Sequence, residues 1–160
     1  MGLLNDFVNG FADGLTVATA LSGNQGIRLI ERWCAELGWG IDDRIGSDGI
    51  VLDFKDPLIR IRKLLITVSD SGKMASFTAF SAADLNVRQL TGKLMAYLLC
   101  HNSEILGAWQ MKIKDDGDIS LCVAHQLVLG GMNAGMFGAT CQQLVKEAND
   151  LDTKLNNSEF

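Results

Sequence analysis

The sequence predicts an α+β fold in which helices flank one antiparallel sheet. Three observations carry this. Apolar residues alternate with period two in short runs between Trp39 and Phe80, and the same alternation returns between Trp109 and Leu129. Before, between and after these runs, apolar residues recur at spacings of three and four. Strands grouped together with helices around them indicate antiparallel pairing rather than βαβ crossovers. The predicted order is α-β(meander)-α-β-β-α.

Each element has a local reason. Leu4, Phe7, Val8, Phe11 and Leu15 have helical spacing weakened by Gly10, Gly14 and Gly23, so residues 1–25 read as a loosely held N-terminal arm. Residues 26–160 read as one domain. Ile27, Ile30, Trp33, Cys34 and Leu37 mark one face of a first helix whose polar face carries Arg28, Glu31, Arg32 and Glu36. Gly38 stands where a left-handed cap would close it. Residues 41–45 and 50–54 predict a hairpin closed by Gly46, Ser47, Asp48 and Gly49. Pro57, the single proline, marks the next turn; residues 58–69 then predict a longer strand, and Asp70, Ser71 and Gly72 turn the chain into a returning strand over 74–80.

Asn86 is placed to cap a helix running to about Cys100, with Val87, Leu90, Leu94, Leu98, Met95 and Leu99 forming a broad apolar stripe. In the second hairpin Trp109, Met111 and Ile113 alternate with Gln110, Lys112 and Lys114, and Ile119, Leu121, Val123, His125, Leu127 and Leu129 alternate on the return. Asp115, Asp116, Gly117 and Asp118 supply its turn. Asn133 caps a last helix whose apolar positions Phe137, Cys141, Leu144, Ala148, Leu151 and Leu155 step by four and three. Gly131, Gly135 and Gly138 are expected to let its first turns approach the sheet.

Composition excludes several classes of function. A chain of 160 residues buries roughly 70% of the surface of its unfolded form and needs no covalent staple. With 14 Lys and Arg against 19 Asp and Glu, the net charge of −5 meets a polyanion unfavourably, so nucleic acid is not expected as a partner. Arg60, Arg62 and Lys63, without interleaved aromatics, read as a solvated sheet face. Cys34, Cys100, Cys122 and Cys141 lie far apart on apolar stretches and read as small, reduced, buried side chains, which fits a cytoplasmic location. No basic n-region opens the chain, and the apolar run 15–21 is too short to span a bilayer, so no membrane insertion is expected.

Catalytic chemistry has little to draw on. Only His101 and His125 are present. His125 alternates in phase with apolar residues and reads as a core or interface histidine, and His101 gains from the carbonyl end of a helix. No CxxC, HExxH or GxSxG pattern appears. The acidic turn 115–118 lacks the closing glutamate of a calcium loop, and Gly130 and Gly131 lack the lysine of a phosphate loop. No metal, cofactor or enzymatic activity is expected.

From Leu98 to Leu155 the chain carries a helix end Leu98-Leu99-Cys100-His101-Asn102, a strand beginning at Gly107, the turn Asp116-Gly117-Asp118, an alternating apolar strand, and a closing helix with Lys146-Glu147-Ala148-Asn149. This succession resembles the class I type III secretion chaperones (CesT/Tir chaperone-like) and the YbjN-like family; the first half matches in its pattern of elements only. The resemblance implies a chaperone-like homodimer that holds an extended or partly helical segment of a client polypeptide without nucleotide or metal. It also implies a dimer contact through the central helix, at Val87, Leu90, Leu94, Met95 and Leu98. The client is expected on the first helix and the sheet edge beside it, at Ile27, Ile30, Trp33, Leu37, Ile41 and Ile50, where a free strand edge and an apolar helix face would coincide. Ordinary burial of the helix residues in the core is the competing reading. Alternative functions are a YbjN-like regulatory or accessory protein, a small-molecule sensor with a pocket between sheet and helices, or a permanent subunit of a larger assembly.

Overall fold

Period-two alternation in residues 39–80 becomes a four-stranded meander, because each turn has residues that tolerate a tight reversal. In the computed structural model, which describes residues 25–55, 61–69, 71–83, 85–114 and 117–160, strands β1 (Asp43–Ile45), β2 (Gly49–Lys55), β3 (Ile61–Val68) and β4 (Met74–Phe80) pair antiparallel in chain order. The arm with Leu4, Phe7, Val8, Phe11 and Leu15, the turn at Pro57, Arg60, and the residues Asp70, Asp115 and Asp116 lie outside the described residues.

Helix α1 (Gln25–Glu36) precedes the meander, and Gly38 closes it with φ of +70°, a conformation that costs a residue without Cβ little. Helix α2 (Gly92–His101) and the long α3 (Ala134–Asn156) follow. Strands β6 (Ala108–Ile113) and β7 (Asp118–Val128) form the second hairpin, with Trp109 opposite Val123 and Ile113 opposite Ile119. The short β5 (Leu85–Asn86) pairs with the start of β7 on the side that β4 occupies further along. The sheet order is therefore β1-β2-β3-β4-β7-β6, with β5 prolonging the line of β4.

One element begins later than its sequence indicates. Asn86 accepts from the Arg88 amide and Gln89 accepts from the Asn86 amide, so this capping box closes only a 3-10 turn over Val87–Gln89. Leu90 then leaves helical geometry at ψ of 86°, and α2 starts at Gly92 with Thr91 accepting from the Leu94 amide at 3.1 Å.

All three described α-helices contribute to one face of the sheet. Ile30, Leu52, Leu64, Phe77, Leu94, Leu121 and Leu144 are buried in one cluster with the inner residues of α3. Phe137 lies at the centre, its ring 5.6 Å from Trp33, 5.9 Å from Trp39 and 6.0 Å from Phe77. Gly26 marks a close approach of α1: a Cβ there would stand 2.5 Å from the Gly72 carbonyl oxygen and 2.6 Å from Val68. Gly138 serves another purpose than contact with the sheet, since its neighbours are Leu37 and Trp39. Gly131 and Gly135 have no sheet atom near a Cβ position.

Arg62 is not on a solvated face. Alternation sends Lys63 to the outer face, where it pairs with Asp42 and Asp53 at 2.6 and 3.0 Å, and sends Arg62 inward, where it is 3% exposed. Its Nη2 donates to Asp152 Oδ2 at 2.5 Å, its Nε to Asn149 Oδ1 at 2.8 Å and its Nη1 to the Phe80 carbonyl at 2.7 Å. Asp152 also accepts from the Ser81 hydroxyl and, at 2.9 Å, from the Ala82 amide. Both charges are thus fully coordinated where α3 crosses β3 and the end of β4.

Cys34, Cys122 and Cys141 are buried, whereas Cys100 is exposed near the end of α2. Burial pushes the Cys34 and Cys122 thiols up to about 11 and raises Cys141 further, so all three are poor nucleophiles at neutral pH. A disulfide reagent is expected to react quickly with one thiol in the folded chain, and Cys100→Ser should abolish that phase. The other three should react only after denaturation. Thermal melts with and without chelator or reductant should superimpose; a large drop with either agent would show that a metal or a disulfide supports the fold.

Candidate functional site

The helix face expected to meet a client turns inward. Ile30 and Ile50 are fully buried, and Ile27 and Trp33 nearly so. Leu37 and Ile41 are half-buried against the same cluster. The physical reason is that α1 packs its only apolar face on the sheet and on α3, which leaves the half-buried Leu37 and Ile41 as the part of the expected surface still open to a client. Ile41 precedes β1, although the Asp42 amide still donates to the Val51 carbonyl at 2.9 Å. Arg44 on β1 is ion-paired to Glu31 on α1, which fixes the helix beside this edge.

The central stripe divides as well. Leu94 and Leu98 are core residues, Leu90 and Met95 are half-buried, and Val87 is exposed. Leu99, on the outer side of α2, is 69% exposed. The buried pair has no surface left for a second chain; Val87, Met95 and Leu99 do.

Two sheet edges differ in character. Strand β1 is three residues long and begins Asp-Arg, a short, charged and hence blunted edge. Strand β6 is six residues long and pairs only with β7 among the described residues. Its Met111 and Ile113 are 40% and 55% exposed. Trp109 at its start is buried, its amide donating to Asn102 Oδ1 at 2.6 Å, while its indole N–H has no partner among the described residues.

His101 ends α2 and joins it to α3. Its Nδ1 lies 3.1 Å from Glu104 and its Nε2 3.6 Å from Glu147, which also accepts from Gln143. The Tyr97 ring stacks on the imidazole at 4.8 Å. Tyr97, His101 and Glu104 border a surface cleft completed by Cys100, Asp150, Thr153, Lys154 and Glu159. The geometry ties the end of α2 to the middle of α3. His125 is half-buried opposite Phe77 on β7, and loss of hydration there lowers its pKa. Among the described residues no cluster of three His, Cys, Asp or Glu is placed to hold a metal ion. No described helix is long and apolar enough to cross a membrane.

A second cleft, of about 630 Å³, lies where α1 meets the β3–β4 turn and the end of β7. Arg28, Arg32 and Lys73 line it together with Leu29, Val128 and Leu129.

No protein-family model matches the chain, and no curated protein matches it. Ten chains among the solved structures do. YbjN from E. coli, a candidate transcription regulator, is 18% identical with a TM-score of 0.58 over 83% of this chain and 92% of that one. A chain of the HopA1–SchA chaperone–effector complex is 8% identical with a TM-score of 0.57, over 84% and 99% of the two chains. A chain of the heterodimeric ExoU–SpcU complex from the type III secretion system of Pseudomonas aeruginosa is 17% identical with a TM-score of 0.51, over 78% and 95%. At these identities the likeness is one of fold. It is the fold that the succession of elements from Leu98 to Leu155 resembles: an antiparallel sheet with flanking helices, as in YbjN and in the complexes of secretion chaperones.

Proposed function

We propose that this chain, whose fold is that of YbjN and the type III secretion chaperones, is a non-enzymatic homodimer that binds a segment of another polypeptide. The observation that carries the reading is the outer edge of β6, which meets no second strand among the described residues. That edge and the exposed Met111 and Ile113 suit β-augmentation by another chain. Exposed apolar residues gathered at the edge of a sheet are a common mark of an interface. A second copy takes this edge together with Val87, Met95 and Leu99, so that the sheet continues from protomer to protomer about a two-fold axis. The client then lies on the other side of the sheet, along α1 and the β1 edge, where Leu37 and Ile41 remain half-exposed. A regulatory role exerted on a partner protein is the second reading, favoured by the likeness to YbjN, and it uses the same surfaces.

Light scattering behind size exclusion tests the dimer. The expected mass at micromolar concentration is twice 17.3 kDa. Replacing both Met111 and Ile113 by lysine should give a monomer with an unchanged melting midpoint, because both side chains are exposed in the protomer. A wild-type mass near 17.3 kDa would contradict the dimer.

A further inference from the structure

In a chain of net charge −5, several described cations have a carboxylate beside them: Arg44 with Glu31, Arg62 with Asp152, Lys63 with Asp42 and Asp53, Lys146 with Asp150 and Lys154 with Glu159. The cleft at the first turns of α1 gathers three cations in one place. Arg28 and Arg32 stand one turn apart on the outer face of α1, and Lys73 faces them from the β3–β4 turn. No described carboxylate lines the cleft. Among the described residues neither Arg28 nor Lys73 makes an ion pair, and Arg32 reaches only the exposed Glu36, at 3.7 Å.

The floor between these charges is apolar: Val128 is 58% exposed, Leu129 is buried and Leu29 is half-buried. The walls are held in place. The Leu129 amide donates to the Lys73 carbonyl at 2.8 Å, joining the end of β7 to the turn. Gly26 brings α1 against Gly72 and Val68, where a Cβ would collide. A fixed depression of this size holds a few side chains.

We infer that this cleft is the docking site for an acidic segment of the client, one that places carboxylates against Arg28, Arg32 and Lys73 and an apolar side chain on Val128 and Leu129. The inference rests on the polypeptide-binding reading and names the chemistry of the partner. Charge complementarity argues for it. Three cations gathered in one cleft repel one another, with only the exposed Glu36 beside them among the described residues, and an anionic partner removes that cost while the net negative charge of the chain turns aside acidic chains that do not fit the cleft. A peptide is favoured over a nucleic acid because the cleft has no aromatic ring on which a base could stack and the rest of the chain is acidic.

The test is fluorescence anisotropy with a short labelled peptide in which glutamate alternates with leucine, alongside the same peptide with glutamine for glutamate. The wild-type chain should bind the acidic peptide at least about tenfold more tightly than the glutamine version, with a difference that shrinks as salt screens the charges. Arg28→Glu combined with Lys73→Glu should remove the preference; both side chains are exposed, so circular dichroism should show an intact fold. Val128→Asp should weaken the acidic peptide as well. Equal binding of the two peptides, insensitive to these substitutions, overturns the acidic-segment inference and leaves polypeptide binding standing. Displacement of the acidic peptide by single-stranded DNA at similar concentration also overturns it. Binding of neither peptide, together with no binding by an unbiased peptide library, overturns the underlying reading itself.

Discussion

Asp152→Ala is expected to destabilise the fold by roughly 3–5 kcal/mol, because it strands the Arg62 guanidinium in the interior without its counter-charge. Arg62 is 3% exposed and its remaining partners, the Asn149 side chain and the Phe80 carbonyl, are neutral. The substitution also removes the acceptor for the Ser81 hydroxyl and the Ala82 amide, so the bend after β4 loosens together with the last turns of α3. A urea titration reads the effect as a fall in the midpoint at an unchanged slope. Replacing both partners, Arg62→Met with Asp152→Leu, should recover much of the loss, since no charge is then left buried. Equal destabilisation by the single and the double replacement would mean that shape and not charge holds α3 there.

Phe137→Ala should cost about 3–5 kcal/mol, the range for removing a fully buried aromatic side chain. The ring touches both tryptophans of the α1 region and Phe77 of the sheet, so its loss opens a cavity at the one place where α1, α3 and the sheet meet. For a chain of this size the melting midpoint should fall by about 10 °C. The preceding residue provides the control. Met136 is 52% exposed, and Met136→Ala should change stability by no more than about 0.5 kcal/mol. Similar losses at the two positions would show that the first turn of α3 is oriented otherwise.

The regular elements were legible because local chemistry specifies them. Asn133 accepts from the Met136 amide at 2.9 Å, as a helix cap should, and Gly38, Gly46, Gly72 and Gly117 have the positive φ that their turns require. What periodicity cannot carry is the partner of each element. Strand β7 pairs with β4 on one side and β6 on the other, and nothing in its alternation says so. Arg62 and Asp152 lie 90 residues apart, and the local pattern that reads Arg62 as a solvated strand residue carries no sign of its partner. The 3-10 turn at Val87 was hidden because a capping box signals a helical start without fixing how far the helix runs.

The same limit applies to the binding surface. The stripe Ile27, Ile30, Trp33 and Leu37 announced an apolar face on α1, and only the packing of α1 on the sheet and α3 turned it into core. Leu94 and Leu98 followed the same course on α2. Arg28 and Arg32 were visible as polar-face residues, but Lys73 is brought beside them by the β3–β4 turn, so their joint charge exists only in three dimensions.

Polypeptide binding by this fold is the central proposal. The most direct measurement is to pan a random displayed peptide library against the purified, folded chain and to titrate the enriched peptides calorimetrically into it in solution. The account predicts enrichment of sequences with apolar residues at alternate positions, as a strand laid along a sheet edge presents them. It further predicts saturable binding by those peptides. Enrichment no greater than on a surface without the chain, or enriched peptides that give no heat with the folded protein, would contradict it.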